Sequence, residues 1–379
     1  MSFACEISRA ALLASMARAA ATQLAKYHST FSTAAFSPAS PTNQGLALDQ
    51  YMRARFLLED ASLSSALSAI ELLRRAVEQD PGFALAWSAL ADTHILLTAF
   101  QTGGTQDHVE QARVCAETAV RLDPGLSEGH ASLATVRQHS MDWPGAERSY
   151  REALRLKPVF PRAHRWYAGF ILQFGRTAEA LEHASIALAQ DPYDKMGPAA
   201  VGLYLLFAGR AEEAIAILEP AVEGKDLEGL RYNLAQAYAR RAQLRQGQER
   251  QNSLGLALAQ AHVIASIEKR KRQPRPLFSD RLFALIFSIG GDVQSAGPYL
   301  DRGLEDMHAG TLSPAEAAWP YAVLHNYPVA LDLLERAYQN APRSLLYLKV
   351  NPFLENLKGQ PRFNQLVLNL RLDSNAALN

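Results

Sequence analysis

The chain has 379 residues, 48% hydrophobic and 20% charged, with 38 basic and 38 acidic side chains and therefore a formal net charge of zero. That balance removes the global basic field expected of a nucleic-acid binder and equally an acidic field for basic partners. Two cysteines, Cys5 and Cys115, cannot by themselves build a disulfide framework or a zinc site, and no apolar run is long enough to span a bilayer.

Residues 5–26 read as an Ala-rich helix carrying Ile7, Ala11, Leu12, Met16, Ala19 and Leu24. A secretory signal is the competing reading. Glu6 and Arg9 near its start and Arg18 inside its apolar run argue against a signal and favour a cytoplasmic chain. Residues 28–44, rich in Ser, Thr and Ala with Pro38 and Pro41, read as a flexible linker. The expected division is therefore a helix over 1–27, a linker over 28–45, a helical array over 46–342, and a cap and tail over 343–379.

The array starts with a helix from Leu46 through Leu57 and a partner from Ala66 to Glu78, closed by Asp80-Pro81-Gly82. A second pair opens with Ala84, Trp87, Leu90 and Ala91. From here the chain matches itself at a shift of 34 residues. Ala112, Ala146, Ala180 and Ala214 fall on one comb, Ala119, Ala153, Ala187 and Ala221 on another, and Pro124, Pro158 and Pro192 on a third. An ordinary helical bundle has no reason to keep such a period. Pro81 and Pro124 stand nine residues further apart than the period, and the excess is expected as a longer turn near Phe100–His108. Pro144 suits the first turn of a helix, where its missing N–H costs nothing. Gly175-Arg176 and Gly209-Arg210 supply inter-helix turns. The unit at about 227–275 is expanded. Phe278–Ile289 with Val293–Leu304, and Pro314–His325 with Pro328–Gln339, form the last pairs, where Ala296 and Ala330 restore the period. Leu345–Leu372 reads as short helices capping the exposed apolar end of the stack.

A 34-residue helix–turn–helix unit with small residues at fixed places and a closing proline resembles the tetratricopeptide repeat (TPR). Trp87, Leu90, Ala91, Ala112, Ala116, Ala119 and Pro124 match that pattern in one unit, while His130, His164 and Pro198 stand where Trp87 stands. The tail Leu346–Phe353 with Pro361-Arg362-Phe363, and Tyr51–Leu57 near the start, are similar to the ends of TPR regions in bacterial transcriptional regulators, kinases and nucleotide cyclases. The resemblance implies an all-α, right-handed superhelical solenoid of about seven helix pairs with a C-terminal helical cap. No regulator output domain is present in the sequence.

For function, the family resemblance implies a groove lined by first helices that binds a protein or peptide. Asp92, Glu128, Gln138, His139, Arg162, Arg165, Gln173, Tyr232 and Gln236 are the expected groove residues, with Arg162 and Arg165 able to fork to a carboxylate. Solvated surface charge is the plain alternative for each. Leu203, Leu206 and Phe207 read either as an apolar patch in that groove or as core. His130 and His164, 34 apart, invite a metal reading, but equivalent places on successive repeats point to packing. Arg240, Arg241, Arg245, Arg250, Lys269, Arg270, Lys271, Arg272 and Arg275 form a basic run without base-stacking aromatics, so a solvated face is expected and nucleic acid is not the expected partner. No phosphate-cradling loop, nucleophile elbow or His-Glu-x-x-His motif occurs. The expectation is a non-catalytic scaffold without cofactor. A regulatory module of a signalling system and an enzyme with an unrecognised groove site are its rivals.

Overall fold

A computed structural model of the chain describes residues 45–373, apart from 59–62, 99–104, 193, 195–196, 224–226 and 272–277. The expected N-terminal helix and most of the linker lie outside the described residues. Every regular element described is helical, and consecutive helices pack as antiparallel pairs. They are α1 (Gly45–Leu57) with α2 (Leu63–Gln79), α3 (Ala84–Thr98) with α4 (Thr105–Leu122), α5 (Ser127–His139) with α6 (Trp143–Leu156), and α7 (Pro161–Leu172) with α8 (Thr177–Gln190). After these come α9 (Gly197–Phe207) with α10 (Ala211–Val222), α11 (Glu228–Leu244) with α12 (Gly247–Arg270), α13 (Phe278–Gly290) with α14 (Val293–His308), and α15 (Pro314–Val323) with α16 (Tyr327–Asn340). Two 3₁₀ turns, Pro342–Leu345 and Pro352–Leu357, lead to α17 (Pro361–Asn369). The fold is that of a TPR-type solenoid, with one more pair among the described residues than the approximate count of seven. The chain divides into two compact units, 45–167 and 168–373, each treated by itself below.

The alanine combs are where helices approach most closely. Ala112, Ala119, Ala146, Ala153, Ala180 and Ala214 are all 0% exposed. Ala221 departs from its comb and is only half-buried, at the end of α10. The first helices carry a comb of their own, Ala91, Ala134, Ala168 and Gly202, facing the partner helix. At Gly202 an added β-carbon would lie 2.5 Å from Leu218 Cγ.

Five of the inter-helix turns reverse the chain through one residue in the left-handed region: Met141 (φ 57), Gly175 (φ 80), Gly209 (φ 77), Gly291 (φ 77) and His325 (φ 59). The next amide closes the helix end, as Asp142 N–H does on Arg137 O at 2.9 Å and Arg210 N–H on Leu205 O at 2.8 Å. That residue also starts the second helix. Asp142 and Asp292 accept from the amides of Gly145 and Ser295, both at 3.0 Å. Where arginine takes the place, it pairs with a glutamate three residues on, as in Arg176–Glu179 and Arg210–Glu213.

The exit from each pair explains why histidine substitutes for tryptophan. Trp87 Nε1 donates to Pro81 O at 3.0 Å, His130 Nε2 to Pro124 O at 2.9 Å, and His164 Nε2 to Pro158 O at 3.0 Å. In each case the ring lies six residues after the proline, and an aromatic N–H is the group required. The nine extra residues between Pro81 and Pro124 fall partly in the helices. Whereas a longer turn was expected, α3 and α4 are two and four residues longer than α5 and α6. Where the sequence suggested an expanded unit, α11 has 17 residues and α12 has 24, and α12 begins at Gly247 rather than near Leu254.

Replacing Gly202 by valine forces Leu218 aside. The expected cost is about 1–3 kcal/mol of stability, read as a lowered melting temperature by circular dichroism. An unchanged melting temperature would show that α9 and α10 do not approach as described.

Candidate functional site

In the unit 45–167 the first helices α1, α3, α5 and α7 present a shared inner face. Asp92 on α3 sits at its centre. Its Oδ1 accepts from Ser132 Oγ on α5 at 2.6 Å, and Ser132 also meets Ser88 Oγ at 2.8 Å. Its Oδ2 lies 2.9 Å from Arg162 Nη1 on α7, close but off the hydrogen-bond direction. Arg162 on α7 thus reaches α3. Burial raises the Asp92 carboxyl above its ordinary value, against the pull of Arg162 and Ser132.

Arg162 also stacks on rings of its own segment, 4.7 Å from the Trp166 centroid and 5.6 Å from Phe160. Beside it Lys157 pairs with Glu128 at 2.7 Å and covers Phe160 at 4.9 Å. Burial works to raise the Glu128 carboxyl, but the ammonium of Lys157 and the Ser127 hydroxyl bring it below its usual value. Tyr51 on α1 closes the face, packed on Phe83 at 5.2 Å. Burial raises its hydroxyl, and Arg55, Arg162, Glu128 and Asp92 all lie near enough to act on it. The result is a polar, nearly charge-balanced surface with aromatic walls.

The expected groove residues do not all share this face. Asp92, Glu128 and Arg162 meet there, and Arg165 lies on the same helix as Arg162. Gln138 instead accepts from Tyr150 Oη at 3.0 Å and so ties α5 to its own partner α6. His139, half-buried, ends α5. Ser132, Trp166, Lys157 and Tyr51 were not among the expected groove residues. Ser132 and Trp166 each follow an expected residue, Glu128 and Arg162, by one helical turn, and that spacing was the available signal.

Gln173, Tyr232 and Gln236 belong to the unit 168–373. There the inner face of α9, α11 and α15 is covered by the chain's own C-terminal segment. Tyr347 packs on Phe207 at 5.4 Å, Phe353 on Trp319 at 6.0 Å, and Arg240 holds Glu355 and the Pro352 carbonyl. Gln236 is 2% exposed and Gln173 0%, the latter with neither amide atom hydrogen-bonded. Burial raises the Tyr232 hydroxyl strongly. Leu206 is core, while Leu203 and Phe207 line a cavity of about 310 Å³ beneath the segment, together with Tyr232, Trp319 and Tyr347. The expected cap therefore does more than close the stack end. The basic run is largely occupied internally: Arg241 and Arg245 hold Glu212, Lys271 holds Glu228, and Arg250 donates to Ile289 O.

A second feature of 45–167 was not anticipated. His94 Nδ1 on α3 and His108 Nδ1 on α4 face each other at 3.0 Å, with His94 only 2% exposed. Burial, His108 and Arg74 push His94 down to about 4. Nearby in sequence, Cys115 is a buried free thiol that burial pushes up to about 12, so it is unreactive at neutral pH. Among the described residues no group of three or more His, Cys, Asp or Glu is placed to hold a metal, and no helix is long and apolar enough to cross a membrane.

No family model matches the chain. A type IV pilus assembly protein, PilF of Pseudomonas aeruginosa, is 35% identical over 75 residues, 20% of this chain. The match spans only 30% of that relative's length. Among solved structures, the human IFIT1 dimer with m7Gppp-AAAA superposes with a TM-score of 0.51 at 14% identity, covering 84% of this chain and 81% of that one. A structure of Pseudomonas aeruginosa PilF gives a TM-score of 0.43 at 19% identity, over 63% of this chain and 96% of that one. The IFIT1 likeness supports the helical-repeat fold.

Two measurements check the site. Arg162→Met leaves the Asp92 carboxylate without its countercharge and should cost about 1–2 kcal/mol, given the partial exposure of the arginine. Asp92→Asn in the same chain should restore most of it, read by a double-mutant cycle in urea. Separately, an unfolded histidine takes up its proton near pH 6.5 but folded His94 only near pH 4. The unfolded state therefore gains protons first as pH falls. Stability should drop across that window by up to about 3 kcal/mol, and His94→Gln should flatten the dependence.

Proposed function

We propose that this chain is a non-catalytic scaffold that binds a peptide segment of a protein partner along the inner face of residues 45–167. The observation that carries the reading is the Asp92–Arg162–Trp166 arrangement. A guanidinium held between a buried carboxylate and an indole is pre-oriented, so an incoming carboxylate meets it at little entropic cost. Asp92 is already the less favoured partner, because burial opposes its charge. Arg165 supplies a second cation on the same helix. The counterpart face of 168–373 carries its own C-terminal segment, which leaves 45–167 as the face for a partner.

The name of the Pseudomonas aeruginosa relative supports an assembly role without indicating which partner is held. A free, buried Cys115 suits a cytoplasmic site of action. The similarity of Leu346–Phe353 to the ends of regulator TPR regions supports a second reading, a regulatory module acting on a signalling partner.

The test is affinity capture from a native-host lysate with the wild-type chain and an Arg162→Glu/Arg165→Glu variant, with the fold of each checked by circular dichroism. A protein held by the first and lost by the second is the expected result. Equal retention by both would remove the binding site from this face.

A further inference from the structure

In the unit 168–373 the first helices α9, α11 and α15 each carry two side chains three or four residues apart: Leu203 and Phe207, Tyr232 and Gln236, Glu316 and Trp319. That spacing puts both members of a pair on one face of their helix. The three faces border the cavity of about 310 Å³, and the C-terminal segment adds Tyr347 to its lining. Such a volume lies at the small end of ligand sites in proteins.

The walls are aromatic. Phe207 and Tyr347 rest on each other at 5.4 Å, Tyr232 on Phe278 at 5.4 Å, and Trp319 on Phe353 at 6.0 Å. Each of the four lining rings thus has one ring neighbour, yet all four remain only half-buried. Uncovered ring surface in a concave site favours a ligand that displaces water from it.

Among the described residues that line the cavity, Glu316 alone carries a formal charge. Its countercharge is incomplete. Arg281 is not part of the lining and meets both carboxylate oxygens through one nitrogen, Nη1, at 3.1 and 3.0 Å. A carboxylate can accept about four hydrogen bonds, so this pair leaves capacity unused. The Glu316 side chain also keeps 31% of its surface uncovered. Burial raises its carboxyl above the ordinary value in spite of Arg281. A second cation, on the cavity side, would stabilise the ionised form. An anion would be repelled there, and a neutral apolar molecule would leave the carboxylate as it is. Ring faces attract a cation through their quadrupoles as well, so walls and charge select the same ligand.

We propose that this cavity binds a small alkylammonium ion, with Glu316 as its counter-ion and the rings of Phe207, Tyr232, Trp319 and Tyr347 as its walls. The site belongs to the second unit and does not rest on the peptide face assigned to 45–167. Because Tyr347 and Leu354 of the C-terminal segment line the cavity, a bound cation also holds that segment in place.

Choline is the probe, and 3,3-dimethylbutan-1-ol, which has the same shape without the charge, is its control. Titration calorimetry on the full chain should show saturable choline binding at least about tenfold tighter than that of the control. No choline binding, or equal affinities, would overturn the proposal in the wild-type chain alone. Glu316→Gln, with its fold checked by circular dichroism, should lose the preference, and a preference kept by the folded variant would overturn the assignment of the counter-ion. Hydrogen exchange then locates the bound probe. Amides of 345–354 should exchange at least about threefold slower in saturating choline. Unchanged exchange there would place the cation elsewhere and overturn the proposal.

Discussion

The close approach of two helices at an alanine or glycine is the constraint on which the rest of this structure depends. Helices set 8–10 Å apart leave no room for a branched side chain at the crossing. Ala146, Ala180 and Ala214 on second helices, and Ala134, Ala168 and Gly202 on first helices, meet that demand once per turn of the repeat. Once the crossing is placed, the connection between the helices has to reverse within two to four residues at the turns containing 141, 175, 209, 291 and 325. The left-handed residue at 141, 175, 209, 291 and 325 does so. At three exits the carbonyl of Pro81, Pro124 or Pro158 receives a ring N–H from the next first helix. At those places one repeat sets the start of the next.

The same stacking brings first-helix side chains together, and the two units use this differently. In 45–167 the space is filled by a polar network in which Asp92 accepts from Ser132 and lies beside Arg162, joining three helices. In 168–373 it is filled by Tyr347, Phe353 and Glu355 from the chain's own C-terminal segment. A buried aromatic contact is held by its area, whereas the Arg162 guanidinium at the first unit's face keeps part of its surface in solvent. That contrast is the basis on which partner binding is proposed for the first unit.

Much of the architecture was legible in the sequence because a repeat states its own geometry several times. The combs at Ala112–Ala214 and Pro124–Pro192 located the helix pairs, Gly175 and Gly209 located the turns, and Phe278–Leu304 and Pro314–Gln339 were recognisable as pairs after the expanded unit. The groove was legible only in part. Asp92, Glu128 and Arg162 are found on one face because helical projection follows from 3.6 residues per turn. Gln138 turned to its own partner helix, since Tyr150 stands within reach one turn away on α6. Gln173 and Gln236 are buried in the second unit, and projection along a single helix carries no information about what the chain's tail will cover.

By itself, then, the sequence determined the repeat unit, its period, its helix pairs and its turn chemistry. These are local requirements, written into small residues, glycines and prolines at fixed spacing. The tertiary structure alone decided which polar side chains meet: Arg162 with Asp92, His94 with His108, Arg240 with Glu355. Such pairs join residues 70, 14 and 115 positions apart, so they depend on how successive repeats stack and where the tail returns, and no local pattern encodes either.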